Sequence, residues 1–162
     1  SVATTSWTAR TRAPRWTTMA LLFAADRVDH LDAEGLPNLM DGVTVITDRY
    51  DYSSVAYQSL TSGADREDTI AWVRTLNAKA RRPDLTIVLD VTPENASMRR
   101  QTRSGSRELF EEEDLQVQLA NFYLRIEDHF PGDNIVHVDA NDGIEPTAQR
   151  ILHAVKVLRR EA

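Results

Sequence analysis

The sequence predicts an α/β protein built on a parallel sheet, and three stretches carry that prediction. Val43-Thr44-Val45-Ile46 is a short β-branched apolar run set off by Gly42 and reads as a buried strand. Leu85 to Val91 (Leu-Thr-Ile-Val-Leu-Asp-Val) is nearly continuous in apolar residues, the pattern of a strand covered on both faces. Ile135-Val136-His137-Val138-Asp139 is a third run of the same kind. Segments with apolar residues every three or four positions lie between them, and strands alternating with helices make a parallel sheet the natural topology.

In order along the chain, Ser1 to Trp16 is rich in Thr, Ser and Arg and predicts no regular element. Met19 to Leu31 predicts a helix, with Phe23 and Arg27 four apart on one face. Leu36-Pro37-Asn38 continues or restarts a helix, since Pro fits a first turn, and Gly42 stops it. After the first strand, Ser53 to Gln58 opens a helix, and Ser59 to Ala64 is a loop with Gly63. Asp65 to Ala80 is a helix with Ile70, Val73, Leu76 and Asn77 on one side, ended by Arg81-Arg82-Pro83. Beyond the second strand, Thr92 caps a helix with Pro93 at its first position. That helix carries Arg99, Arg100 and Arg103 toward a Ser104-Gly105-Ser106 hinge. Glu108 to Ile126 is a long helix, Pro131-Gly132 breaks it, and Ile144 to Val157 is a terminal amphipathic helix.

The bulk chemistry narrows the class. The chain is most simply one domain, and its net charge of −6 offers no global field for nucleic acid. Without cysteine it has neither disulfides nor thiolate metal sites. No apolar run reaches membrane-spanning length and no signal peptide is visible, so a cytoplasmic enzyme or binding domain is expected. His30, His129, His137 and His153 are scattered, without metal-ligand spacing. Basic residues cluster at Arg10 to Arg15 and at Arg99 to Arg107, which leaves room for local anion sites.

The informative string is Ile46 to Gln58, Ile-Thr-Asp-Arg-Tyr-Asp-Tyr-Ser-Ser-Val-Ala-Tyr-Gln. A carboxylate, a guanidinium and a phenol stand where the first strand ends, and open α/β sheets place their ligand crevice there. Asp48 can hold a metal or its water shell, and Arg49 can grip a phosphate in a two-pronged, charge-assisted way. An Asp-Arg pair alone is more often a surface salt bridge. The whole string, however, resembles the signature of thymidylate kinases: an apolar strand, Asp-Arg-Tyr, two free residues, Ser-Ser, one free residue, then Ala-Tyr-Gln. Leu21 to Arg27, Leu76-Asn77 and Pro83-Asp84-Leu85-Thr86 leading to Leu89-Asp90-Val91 are similar to the family's pattern as well.

That resemblance implies a P-loop NTPase-like nucleoside monophosphate kinase fold, a parallel sheet with helices on both faces. It also implies transfer of the ATP γ-phosphoryl group to dTMP. On matching positions, Phe23 stacks on thymine and Arg27 hydrogen-bonds its carbonyl edge. Asp48 positions magnesium and the phosphates, and Arg49 contacts the phosphate of the monophosphate. Ser54 lies near the base, Tyr57 lies against the sugar and disfavours a ribose hydroxyl, and Gln58 faces the base or its neighbours. Residues 99–107 are similar to the lid that closes over ATP, with Arg99, Arg100, Arg103 and Arg107 as its cations. Arg103 and Arg107 would act on the transferred group beside Asp48 and Arg49. Read from charge alone, the same arginines form a solvated face pairing with Glu108, Glu111, Glu112 and Glu113. Family likeness further implies Mg2+ and a homodimer through the Leu21–Arg27 helix.

One departure is large. No Gly-x-x-x-x-Gly-Lys-Ser/Thr loop occurs in the sequence, nor the strand that precedes it in the family and lies at the centre of its sheet. Lacking that strand, Val43–Thr47 and Leu85–Val91 would have no shared neighbour. Three readings stand: the 162 residues are part of a longer chain, which we favour, or a truncation inactive as a kinase, or another chain supplies the strand. The alternatives in function are a non-catalytic module with a monophosphate pocket and no ATP site, or another nucleoside monophosphate kinase.

Overall fold

A computed structural model describes residues 15–103 and 109–161, with the backbone alone for 100–103, 109–113, 160 and 161. Helix α1 spans Trp16–His30 and runs through a π-helical turn, Leu31–Gly35, into α2, Leu36–Met40. Small residues set its packing: Ala20 and Ala24, four apart, are the buried positions of α1, and they let the helix approach α3 closely. Gly42, at φ 76°, closes α2: its N–H reaches Leu39 O at 3.0 Å, and Val43 N–H reaches Asn38 O at 2.9 Å. This left-handed glycine with paired reverse bonds is a Schellman stop.

Helix α3 (Asp51–Thr61) runs three residues into the expected loop, and α4 covers Arg66–Leu76. Asp65 caps α4 by accepting from Asp68 N–H at 3.0 Å. The helix stops at Leu76 rather than Ala80, because the Asn77 side-chain amide turns back to donate to Val73 O at 2.8 Å. Such local side-chain bonds compete with the helical ladder.

Strands β1 (Thr86–Asp90) and β2 (Ile135–Asp139) form a parallel pair in the register Thr86↔Ile135 to Asp90↔Asp139. Between them lie α5 (Pro93–Arg103), α6 (Leu109–Tyr123) and the short α7 (Ile126–His129); α8 (Ile144–Glu161) follows β2 and packs on it. The long helix expected to reach Ile126 is therefore divided after Tyr123. Thr92 caps α5 as expected, accepting from Asn95 N–H at 3.3 Å.

The expected strand Val43–Ile46 joins no ladder. Its pattern is right for a strand, but a strand is defined by its neighbour, and among the described residues none pairs with it. Val43 and Ile46 are consequently exposed. Among the described residues no strand lies between 43–47 and β1.

The core joins α3, α4, α6, α7 and β1 around Val55, Val73, Phe122 and Ile126, all essentially inaccessible. Tyr52 tilts against Phe130 at 4.4 Å between centroids. One guanidinium ties this core together. Arg82 pairs with Asp51 at 2.5 Å and forks onto Asp133 at 2.5 and 3.2 Å, lying over the rings of Tyr52 and Phe130. The Tyr52 hydroxyl donates to Asp133 at 2.7 Å and accepts from Thr86 at 2.9 Å. Burial, joined by the bond to Asp133 and opposed by the one from Thr86, pushes the Tyr52 phenol up to about 12, so it remains a donor. The first turn of α3 is thereby fixed to the start of β1 and the approach to β2.

Candidate active site

A cavity of about 1050 Å³ opens between α1 with its π-helical turn, residues 45–50 and the outer face of α3. Every substrate-binding residue expected from the sequence lines it: Phe23, Arg27, Arg49, Ser54, Tyr57 and Gln58, with Asp48 at the same wall. Two helices and one turn bring them together. Phe23 and Arg27 project from α1 one turn apart, and Ser54, Tyr57 and Gln58 share a face of α3 at helical spacing. The opposite face of α3 supplies Tyr52, Val55 and Ala56 to the core, so the site rests on a helix that packing holds in place.

Arg27 is the best-defined group in the cavity. Its Nη2 donates to Ser54 Oγ at 3.1 Å, its Nη1 donates to Asn77 Oδ1, and its guanidinium lies 5.3 Å from the centre of the Tyr50 ring. Burial lowers its pKa, while the charges of Asp51, Tyr50 and Asp26 pull the other way. An arginine keeps its proton throughout. Tyr50 is held in turn by its hydroxyl, which donates to Arg81 O at 2.8 Å. Phe23, about half exposed, presents a free ring to the cavity beside Arg27.

Arg49 has the unusual backbone of the site. Its φ is 67°, the left-handed region, the only such value at a non-glycine among the described residues. Thr47 Oγ1 supports the turn by donating to Arg49 O at 3.0 Å. The guanidinium sits 5.6 Å above the Tyr57 ring, and a hydrogen bond with Tyr57 raises its pKa. Backbone strain of this kind is concentrated at ligand sites. Here it accompanies a long, exposed cation that lies over the Tyr57 ring at the cavity wall. Ser53, beside it on α3, bonds the Tyr123 hydroxyl of α6 at 3.0 Å.

Gln58 is 6% exposed, and its Oε1 has no hydrogen-bond partner. A buried carbonyl oxygen without a donor costs free energy, roughly 1–3 kcal/mol. This one borders the cavity.

Arg99, the first of the basic residues at 99–107, does not line this cavity. Arg99 is committed within the fold: its Nη2 donates to Ala140 O at 2.7 Å and Asp142 O at 2.8 Å, with Asn141 O at 3.4 Å. That binds α5 to the loop after β2. Arg107 and the hinge at 104–106 lie outside the described residues, as do the side chains of Arg100 and Arg103. Among the described residues no three His, Cys, Asp or Glu side chains gather to hold a metal, and Asp48 is a single exposed carboxylate. Nor does any described helix have the length and apolarity to cross a membrane. Sequence reading gave Asn77 and Tyr50 no role in the site. Asn77 carried two signals, as a polar residue on the apolar side of α4 and as part of the Leu76-Asn77 pair that resembles the family's pattern.

The fold, with two cations and an exposed aromatic ring lining one cavity, places the chain in the class of nucleoside monophosphate kinase folds. A solved structure bears this out: the thymidylate kinase of Candida albicans superposes with a TM-score of 0.70 over 94% of this chain and 71% of its own, at 22% identity. The sequence profile of the thymidylate kinase family matches residues 6–151. A probable thymidylate kinase of Pyrococcus horikoshii is 41% identical over 138 residues, 85% of this chain and 63% of its own length. A thymidylate kinase of Geobacter sulfurreducens is 35% identical over 141 residues, 83% of this chain and 66% of its own. The chain belongs to the thymidylate kinase family, and it spans less than two thirds of the length of these curated relatives.

Proposed function

We propose that the cavity is the acceptor site of an enzyme that moves the γ-phosphoryl group of ATP to dTMP, giving dTDP and ADP. The observation that carries the substrate is the buried, unpartnered Oε1 of Gln58, a residue that lines the same cavity as the Arg27 fork. Thymine presents an N3–H donor next to a carbonyl acceptor. Gln58 accepts from the first and Arg27 donates to the second. Cytosine presents a lone pair at N3, which leaves the Gln58 carbonyl unpaired and facing another acceptor. A site built on hydrogen bonds rejects such a mismatch far more strongly than an apolar pocket does. Phe23 supplies the stacking surface, worth roughly 1–3 kcal/mol per base in single-strand systems.

Arg49 then meets the phosphate. Its ring support from Tyr57 keeps the guanidinium in place, and Tyr57 itself lies where the sugar passes between base and phosphate. Phosphoryl transfer is mostly positioning plus charge stabilisation, and a preset cation contributes to both. Asp48 fits magnesium in the way that ion prefers, through one carboxylate, retained waters and substrate phosphates. The ion would add positive charge where the transferring group passes. Arg103 and Arg107 complete the charge around ATP in this reading. A cytoplasmic homodimer is part of the same proposal, supported by Leu21 and Leu22, which α1 leaves half exposed on its outer side.

The test is thermal protection by ligands, which act by mass action on the native state. dTMP should raise the unfolding temperature, and CMP, AMP and GMP should do so much less. Equal protection by all four overturns the thymidylate assignment. ADP release with dTMP, ATP and magnesium on the full-length protein tests the transfer itself.

A further inference from the structure

We infer that Asn77, at the end of α4, is a positioning residue that aims Arg27 at the substrate base. Asn77 is 3% exposed, so it meets no ligand itself, and its amide is split between two tasks. The Nδ2 group donates to Val73 O at 2.8 Å and ends the helix, while Oδ1 accepts from Arg27 Nη1. Ser54 Oγ takes Nη2 at 3.1 Å, and the Tyr50 ring lies under the guanidinium plane at 5.3 Å. Each of these fixes a different freedom. The ring sets the plane, and two acceptors on separate helices set the rotation within it. Arginine otherwise carries about 2 kcal/mol of rotamer entropy. With Nη1 and Nη2 each spending one hydrogen on the protein, the hydrogens left on the fork are presented in a fixed direction. Among the described residues they have no other acceptor.

Asn77 suits this task because its amide is both donor and acceptor. The donor grips Val73 O, and this leaves the carbonyl oxygen pointing to Arg27. The amide orientation thus follows from the helix end, and the guanidinium orientation follows from the amide. The chain of causes runs from a C-terminal helix cap to the group that reads the base.

The inference rests on the reading of the cavity as a thymine site, and two substitutions separate the two tasks of Asn77. Asn77→Ser keeps a donor for Val73 O, a bond that Thr61 and Thr75 already make to the carbonyl four residues back, but it is too short to reach Arg27. Asn77→Asp keeps an acceptor for Arg27 and loses the donor. Calorimetric titration of the full-length protein with dTMP and dCMP reads the outcome. Asn77→Ser should weaken dTMP about tenfold, the equivalent of about 1.4 kcal/mol, and narrow its preference over dCMP. Asn77→Asp should keep both, since its two equivalent oxygens present an acceptor to Arg27 without the Val73 bond that orients the amide, even where its melting temperature falls. In an Arg27→Ala background, Asn77→Ser should change dTMP affinity no further, a non-additivity that a purely structural role would not produce.

Wild-type protein that binds dTMP and dCMP alike overturns the thymine site, and the inference with it, before any variant is made. Wild-type selectivity with an unaltered Asn77→Ser variant, or additive losses in the cycle, overturns the inference alone.

Discussion

Arg49 combines a strained backbone with a charge at the cavity wall, and exchanging it two ways separates those properties. Arg49→Ala removes the guanidinium but keeps a Cβ at φ 67°. Arg49→Gly removes both. In the proposed acceptor site the guanidinium loss should remove charge-assisted bonds to the phosphate, about 1.5–3 kcal/mol, or roughly 10- to 150-fold in Kd. The contact with the Tyr57 ring is lost in both variants and cancels between them. The backbone contribution does not cancel. A left-handed non-glycine costs about 1–2 kcal/mol, and glycine gives back about 0.5–1 kcal/mol through its freer unfolded chain. The glycine variant should therefore be more stable than the alanine variant by up to about 1.5 kcal/mol, while both bind dTMP equally poorly. Urea melts and calorimetric titration read the two effects. Thymidine, lacking the phosphate, is the control and should bind both variants nearly as well as wild type. If the glycine variant recovers phosphate affinity, or if thymidine weakens as much as dTMP, Arg49 shapes the turn and does not hold the phosphate.

Arg82→Met should cost about 3–5 kcal/mol, because it leaves the nearly inaccessible Asp51 with an uncompensated charge. A urea midpoint close to wild type would refute that value. Asp133 is raised by burial but lowered more by hydrogen bonds from Arg82 and Tyr52, so its pKa lies below the ordinary 3.8. A depressed folded pKa stabilises above the unfolded value and is lost as pH falls through the folded one, so Asp133→Asn should flatten the acid limb of the stability curve. His137 behaves in the opposite sense. Burial opposes its protonation, but Asp90 at 2.9 Å and Glu127 at 3.0 Å raise its pKa above 6.5. Its contribution is complete below 6.5 and fades as pH rises through the folded value. His137→Gln should therefore lower the melting temperature more in acid than in mild alkali, and an equal loss at both would exclude an ion pair.

The parts of this molecule written in local pattern were legible in its sequence. Phe23 and Arg27 share a face because four residues make about one helical turn. Ser54, Tyr57 and Gln58 follow the same spacing on α3, and Pro93 and Thr92 announce the start of α5. What escaped the sequence was non-local or competitive. Val43–Ile46 has the composition of a strand, but composition does not supply a partner. The end of α4 depended on whether the Asn77 amide would prefer solvent or Val73 O. Arg82 looked like one more charge before a proline, and nothing nearby revealed carboxylates at positions 51 and 133. Arg99 had the same appearance as its neighbours in the basic run. Only the fold shows that it is spent on the carbonyls at 140 and 142.

The Arg82 knot also bears on the order in which the molecule can assemble. Its bonds join residues 31 and 51 positions apart. Closing such loops costs entropy before any contact is gained, and folding rates fall as contacts become less local. On the ribosome, Asp51 and Arg82 emerge well before Asp133 and its neighbour Phe130. Until those arrive, Tyr52 has no ring to lean on and the Arg82 fork is half filled. The helix that carries Ser54, Tyr57 and Gln58 to the pocket is therefore finished late, although it lies in the first half of the chain. A nascent polypeptide stalled short of residue 133 would expose α3 with its buried acid unmatched, the kind of intermediate that chaperones are expected to hold.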